Sequence, residues 1–147
     1  MIWKPNVTVA AVIEQDGRFL LVEEFAAERR VVNQPAGHLE PDETLIEAVV
    51  RETLEETGHG FAPQALVGVY RWHHPQKDVT YLRFTFCGQL GAHSGRELDP
   101  DILDTVWLTH EELLADPARL RSPLVLRSVE DYLAGRRYPL ELLVDGL

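Results

Sequence analysis

Glu52, Glu55 and Glu56 lie three and four residues apart in a segment, Thr44 to Gly58, whose apolar residues recur with a helical period. At about 100° per residue, Ile46, Val49, Val50 and Thr53 share one side of such a helix and the three glutamates share another. Like charges at this spacing disfavour an isolated helix by roughly 0.3 kcal/mol per pair, and a divalent cation reverses that penalty. Magnesium (Mg2+) takes oxygen ligands and keeps several waters, so two or three carboxylates plus substrate phosphates can hold it. Manganese (Mn2+) accepts the same donors. Ala48 falls in the acidic sector one turn earlier, where a small side chain leaves space above the glutamates. Taken alone, Glu55 and Glu56 read more readily as a solvated acidic helix face, so the wider spacing has to decide.

Gly37, Glu43, Arg51, Glu52, Glu55, Glu56 and Gly58 follow the order Gly, five residues, Glu, seven residues, then Arg-Glu-x-x-Glu-Glu-x-Gly. A chance match in a chain of this length is on the order of one in a hundred thousand. Residues 37 to 59 thus resemble the Nudix box, although Thr53 and His59 replace two usual aliphatic residues. The resemblance implies an α/β (α+β) fold, an α/β/α sandwich around a mixed sheet. It implies Glu52, Glu55, Glu56 and the carbonyl of Ala36 as metal ligands, with Mg2+ as the cofactor and Mn2+ as the alternative. Glu43 would orient Arg51, which would hold Glu52; the plain alternative is an ordinary ion pair. A later loop often supplies a further acid in this family. Glu97, Asp99, Asp101 and Asp104 are the candidates here, with Asp101 preferred.

The resemblance extends beyond the box. Asn33 to Glu40, Leu82 to Phe84, Arg121 to Val125 and Arg137 to Glu141 are similar to phosphate-releasing bacterial Nudix enzymes, which covers nearly the whole chain. It implies release of phosphate from nucleoside tri- and diphosphates and hydrolysis of hydroxymethylpyrimidine diphosphate, a thiamin precursor. In that chemistry a metal neutralises phosphate oxygens and acidifies a water, and a glutamate, Glu52 by first choice, takes the proton. Arg83, Arg121 and Arg127 are candidate phosphate clamps. Trp72, Tyr81 and Phe84 are candidate stacking rings, with Phe84 on an apolar strand face. The substrate-contact set is therefore Arg83, Tyr81, Trp72 and Asp101. Cys87 reads as a small packed residue, since no neighbouring charge argues for a lowered pKa.

With 14 Lys and Arg against 24 Asp and Glu, the net charge is -10, which argues against duplex nucleic acid as a partner. A small phosphorylated substrate fits, because bound metal reverses the local field. One cysteine cannot form an internal disulfide, and no apolar run approaches the roughly 20 residues of a membrane helix. The expectation is a soluble, cytoplasmic protein with no membrane partner, a monomer in preference to an oligomer. The rival reading from another class is a Nudix-derived module that senses a nucleotide without turning it over, and the intact carboxylates argue against it. An acidic structural domain that docks a basic partner would require the box to be coincidence.

The elements that must position these groups are legible in outline. The 147 residues, 45% of them apolar, suit one domain spanning 1–147. Val7 to Ile13 reads as a strand with Arg18 to Val22 as its hairpin partner around Asp16-Gly17, and residues 26 to 43 read as a long loop. Thr44 and Glu47 form a capping box for the acidic helix, and Gly58 suits a left-handed stop. Ala65 to Trp72 and Val79 to Leu90 read as a hairpin around Pro75, Gly88 to Pro100 as a polar stretch, and Thr105 to Leu108 as a strand. Thr109 and Glu112 cap a brief helix, and a last helix spans Pro123 to Leu133.

Overall fold

Strand β1 (Asn6–Val12) is apolar on both faces, and Val9 to Val12 are buried, as the centre of a covered sheet requires. In the computed structural model, which describes residues 1–146, β1 runs parallel to β7 (Val79–His93) and antiparallel to β5 (Ala36–His38). Strand β6 (His59–His74) pairs antiparallel with β7, giving a mixed sheet in the order β5-β1-β7-β6. A second, antiparallel sheet centres on β3 (Arg18–Ala26), flanked by β4 (Arg29–Asn33) and β8 (Ile102–Thr109). The expected hairpin between the first long strand and β3 is reduced to its tip, where the Leu20 N–H donates to the Ile13 carbonyl at 2.9 Å. The turn at Asp16 and Gly17, both with positive φ, pairs β3 only with the two-residue β2 (Glu14–Gln15). Strand β1 is instead drawn into the first sheet by its two apolar faces. The expected long loop likewise contains β4 and β5.

Helix α1 (Leu45–Thr57) is built as its caps require. Thr44 Oγ1 accepts the Glu47 N–H at 3.0 Å, Glu47 Oε1 accepts the Thr44 N–H at 2.8 Å, and Gly58 stops the helix at φ 77°. It covers one face of the mixed sheet, where Val49 and Ala48 pack with Val9, Ile13, Phe61 and Phe86. Ala48 is thus a core residue and opens no space above the glutamates. Helices α2 (His110–Ala115) and α3 (Pro123–Leu133) cover the other side, with Leu113, Val125 and Val129 against Val12, Phe19, Leu21 and Cys87. The result is an α/β/α sandwich with a mixed sheet. The β6–β7 hairpin outlasts its expected ends because bulges at Pro63/Ala65 and Leu66/Gly68 absorb the irregular residues. Gly88 lets the strands close up, since a Cβ there would lie 2.0 Å from the Ala62 carbonyl oxygen. Among the described residues no helix is long and apolar enough to cross a membrane.

Candidate active site

The acidic side of α1 is covered by β5. The Ala36 N–H donates to Glu56 Oε1 at 2.9 Å, and a Cβ on Gly37 would lie 2.2 Å from the Glu52 carboxyl carbon. Strand register explains the orientation of Ala36. Ala11 N–H bonds the Pro35 carbonyl and Leu39 N–H the Val7 carbonyl, so the Ala36–Ala10 pair falls at a position that does not exchange ladder bonds. The N–H and C=O of Ala36 therefore point away from β1 toward the glutamates.

Arg51 organises the rest. Its Nε and Nη2 donate to the two oxygens of Glu43 at 2.9 and 2.7 Å, its Nη1 donates to Glu52 Oε1 at 2.8 Å and Glu55 Oε2 at 3.2 Å, and Nη2 reaches the His38 carbonyl at 3.0 Å. The guanidinium holds the Glu43 carboxyl below its usual range, and Glu43 in turn raises the Arg51 pKa, so the pair stays charged. Burial pushes Glu52 up against the opposing pull of Arg51. Burial also pushes Glu56 up to about 8, opposed by the Ala36 N–H and reinforced by Glu52 and Asp99.

Glu56 thus has a backbone donor but no cation within ion-pair distance among the described residues. One arginine serves Glu43, Glu52 and Glu55, and the donor set is all oxygen. A hard divalent cation fits such a set. No three acidic, histidine or cysteine side chains among the described residues are arranged to hold an ion unaided. Glu52, Glu55, Glu56 and the Ala36 carbonyl would therefore hold it together with water and substrate oxygens, as magnesium tolerates. Among the later acids, Asp99 is the one whose charge reaches Glu52 and Glu56, because its N–H is tied to the Glu55 carbonyl at 3.0 Å. The preferred Asp101 lines the cleft instead, while Glu97 and Asp104 are exposed outside it.

Glu52, Glu56 and β5 line a cleft of about 680 Å³. Trp72, Tyr81 and Arg83 reach it from β6 and β7, and the cross-strand pair Trp72 and Tyr81 stacks with ring centroids 6.0 Å apart and planes at 16°. Arg83 is only 4% exposed. Its Nη2 donates to Asn33 Oδ1 and Gln34 Oε1, both at 3.2 Å, and its Nε meets no partner. Burial lowers its pKa to about 10, opposed by Tyr70 and Glu56. Gln34 is itself fixed by donating to the Val125 carbonyl at 2.9 Å.

The other candidates separate. Arg121 lines the cleft but ion-pairs with Glu24. Arg127 bonds Asp131 beside Tyr70, away from the cleft, and Phe84 packs against the α1 core. The sequence reading missed Glu24, Phe25, Gln34 and Leu103, and gave Asn33 no role. Only the Asn33-Gln34-Pro35 run, flanking the box, carried a signal.

The NUDIX domain family matches residues 3–129. Phosphatase NudJ of Escherichia coli strain K12 is 45% identical over 144 residues, 97% of this chain and 93% of that protein. Among solved structures, a NUDIX hydrolase from Nitrosomonas europaea is 52% identical, with a TM-score of 0.94 over 97% of this chain and 98% of that one. The E. coli ORF135 protein is 26% identical with a TM-score of 0.73, covering 90% of this chain and 91% of its own.

Proposed function

Because this chain belongs to the NUDIX family and is a Nudix hydrolase, we propose that it cuts the phosphoanhydride link of nucleoside tri- and diphosphates and of small organic diphosphates such as hydroxymethylpyrimidine diphosphate. Phosphate is the product and Mg2+ the cofactor, with Mn2+ able to replace it. The similarity to Phosphatase NudJ supports the phosphate-releasing mode. The observation that carries the reading is Glu56, a buried carboxyl group with no cation within ion-pair distance among the described residues, on a cleft that Arg83 also lines.

In this reading Glu52, Glu55, Glu56 and the Ala36 carbonyl would hold the ion. When bound, it neutralises phosphate oxygens and makes a nearby water more acidic. Glu52 Oε1 accepts from Arg51, and the remaining lone pairs of this carboxylate would serve the ion and the proton of the attacking water. Glu43 and Arg51 position Glu52. Arg83 carries a buried charge without an ion-pair partner among the described residues, so an incoming phosphate completes it. Trp72, Tyr81 and Asp101 contact the rest of the substrate. The lone Cys87, buried and with its thiol pushed up by that burial, suits a reducing cytosol.

Phosphorus NMR of early time points with a nucleoside triphosphate and magnesium tests this. The expected result is diphosphate and phosphate accumulating together, with no turnover under chelator. Monophosphate with an equal amount of pyrophosphate would refute the phosphate-releasing mode, and turnover under chelator would refute the metal.

A further inference from the structure

A second cavity, of about 360 Å³, opens between β6, α3 and the segment 136–142, and it shares no lining residue with the cleft. Gly68 makes room for its tyrosine. A Cβ there would lie 2.8 Å from Tyr70 Oη, so the Tyr70 ring is laid over the glycine and its hydroxyl donates to Asp131 Oδ2 at 2.7 Å. Burial first and Asp131 second push the pKa of this hydroxyl up, which keeps it a donor. Asp131, only 8% exposed, also takes Arg127 Nε at 3.0 Å and pairs with Arg136 Nε at 3.4 Å. Neither arginine has another acidic partner among the described residues, and both side chains are more than half exposed. One carboxylate against two guanidiniums leaves the cavity positive in a chain whose net charge is -10. The cleft is the reverse, since five acids line it against three Lys and Arg. Arg127, a candidate phosphate clamp by sequence, therefore lies at the basic cavity and not at the acidic one.

We propose that this cavity is a second anion site, which needs no metal, where the Nη groups of Arg127 and Arg136 clamp the phosphate of an organic monophosphate and Val69, Tyr138 and Leu142 cover its apolar body. Asp131 engages each guanidinium only through Nε, so the Nη groups of both remain as donors. Two such forks suit the three oxygens of a phosphate monoester, whereas one fork satisfies a carboxylate. Val69, Tyr138 and Leu142 line the cavity and stay exposed, so burying an apolar body against them favours a monoester over inorganic phosphate. The cleft repels the same ligand until a cation reverses its field, which separates the two sites by their need for metal. The site holds whether or not the cleft hydrolyses a diphosphate.

Proton–nitrogen NMR titration with phenyl phosphate in EDTA-containing buffer tests this, because the amide shifts locate the ligand. Saturable shifts should concentrate on Val69, Tyr70 and Tyr138. Arg127→Gln and Arg136→Gln should each bind about ten-fold more weakly, as loss of a charge-assisted fork requires, while Arg83→Met binds as the wild type does. Each arginine also holds Asp131, so Leu142→Glu serves as the second variant. It keeps that ion pair, replaces an exposed side chain, and sets a carboxylate on the cavity wall, which should weaken binding by about ten-fold as well. Inorganic phosphate should bind about ten-fold more weakly than phenyl phosphate. The absence of saturable shifts, shifts centred on Gly37 and Arg83, wild-type affinity in all three cavity variants, or equal affinity for inorganic phosphate would overturn the proposal.

Discussion

Gly37 leaves open the space that the Glu52 carboxyl group occupies. A β-carbon on Gly37 would sit 2.2 Å from both the carboxyl carbon and one oxygen of Glu52, a distance no side chain tolerates. A larger residue there would displace the end of the Glu52 side chain, which Arg51 otherwise holds. Gly37→Ala should lower kcat by about 10²-fold, because displacing a reacting group by about 1 Å costs that much. The circular dichroism spectrum should stay that of the wild type. A kcat within a few-fold of wild type would mean that the position of Glu52 does not matter.

Arg83 is expected to behave as a binding residue and not as a structural one. Arg83→Met removes a buried charge that has no ion pair among the described residues, which favours the fold, but leaves Asn33 and Gln34 without a donor, which does not. The melting temperature should therefore change little. Loss of a charge-assisted contact to phosphate should lower kcat/KM by about 10²-fold, with KM carrying most of the change. Melting curves and steady-state kinetics on the same preparation check this. A large drop in melting temperature with unchanged kcat/KM would assign Arg83 to the scaffold.

For Glu56 the sign of the pH effect follows from its raised pKa. Its folded value of about 8 lies above the ordinary 4.5, so the folded protein holds this proton more tightly than the unfolded chain. The stability it contributes is complete below the unfolded value and is lost as pH rises toward 8. Glu56→Gln cannot ionise. In metal-free buffer its melting temperature should gain on the wild type between about pH 5 and 8, and magnesium at pH 8 should stabilise the wild type more than the variant. Parallel melting curves across that range would show that Glu56 is not held in its acid form.

The sequence carried the local devices well and the long-range placements poorly. Thr44, Glu47 and Gly58 bound α1 correctly because caps act within a few residues, and α3 begins and ends where Pro123 and Leu133 suggested. The turn from β3 to β4 stayed hidden because Ala27 and Glu28 adopt positive φ, a conformation these residue types do not advertise. Three-residue β5 is too short for alternation to show. At the site, the spacing brought Glu43, Arg51, Glu52, Glu55 and Glu56 together because they share one helix and the loop before it. Asp99 and the Arg83–Gln34 contact depend on which strands and loops meet, which no local pattern encodes. Arg121 and Arg127 read alike in the sequence, but only Arg121 lines the cleft.

The most direct test is the turnover of Glu55→Gln and Glu56→Gln at saturating magnesium, since each removes charge from the helix without removing volume. Each variant should lose about two to four decades in kcat while keeping the wild-type fold. Either variant turning over at close to the wild-type rate would contradict the assignment of these glutamates to the metal, and with it the account of how this cleft hydrolyses a diphosphate.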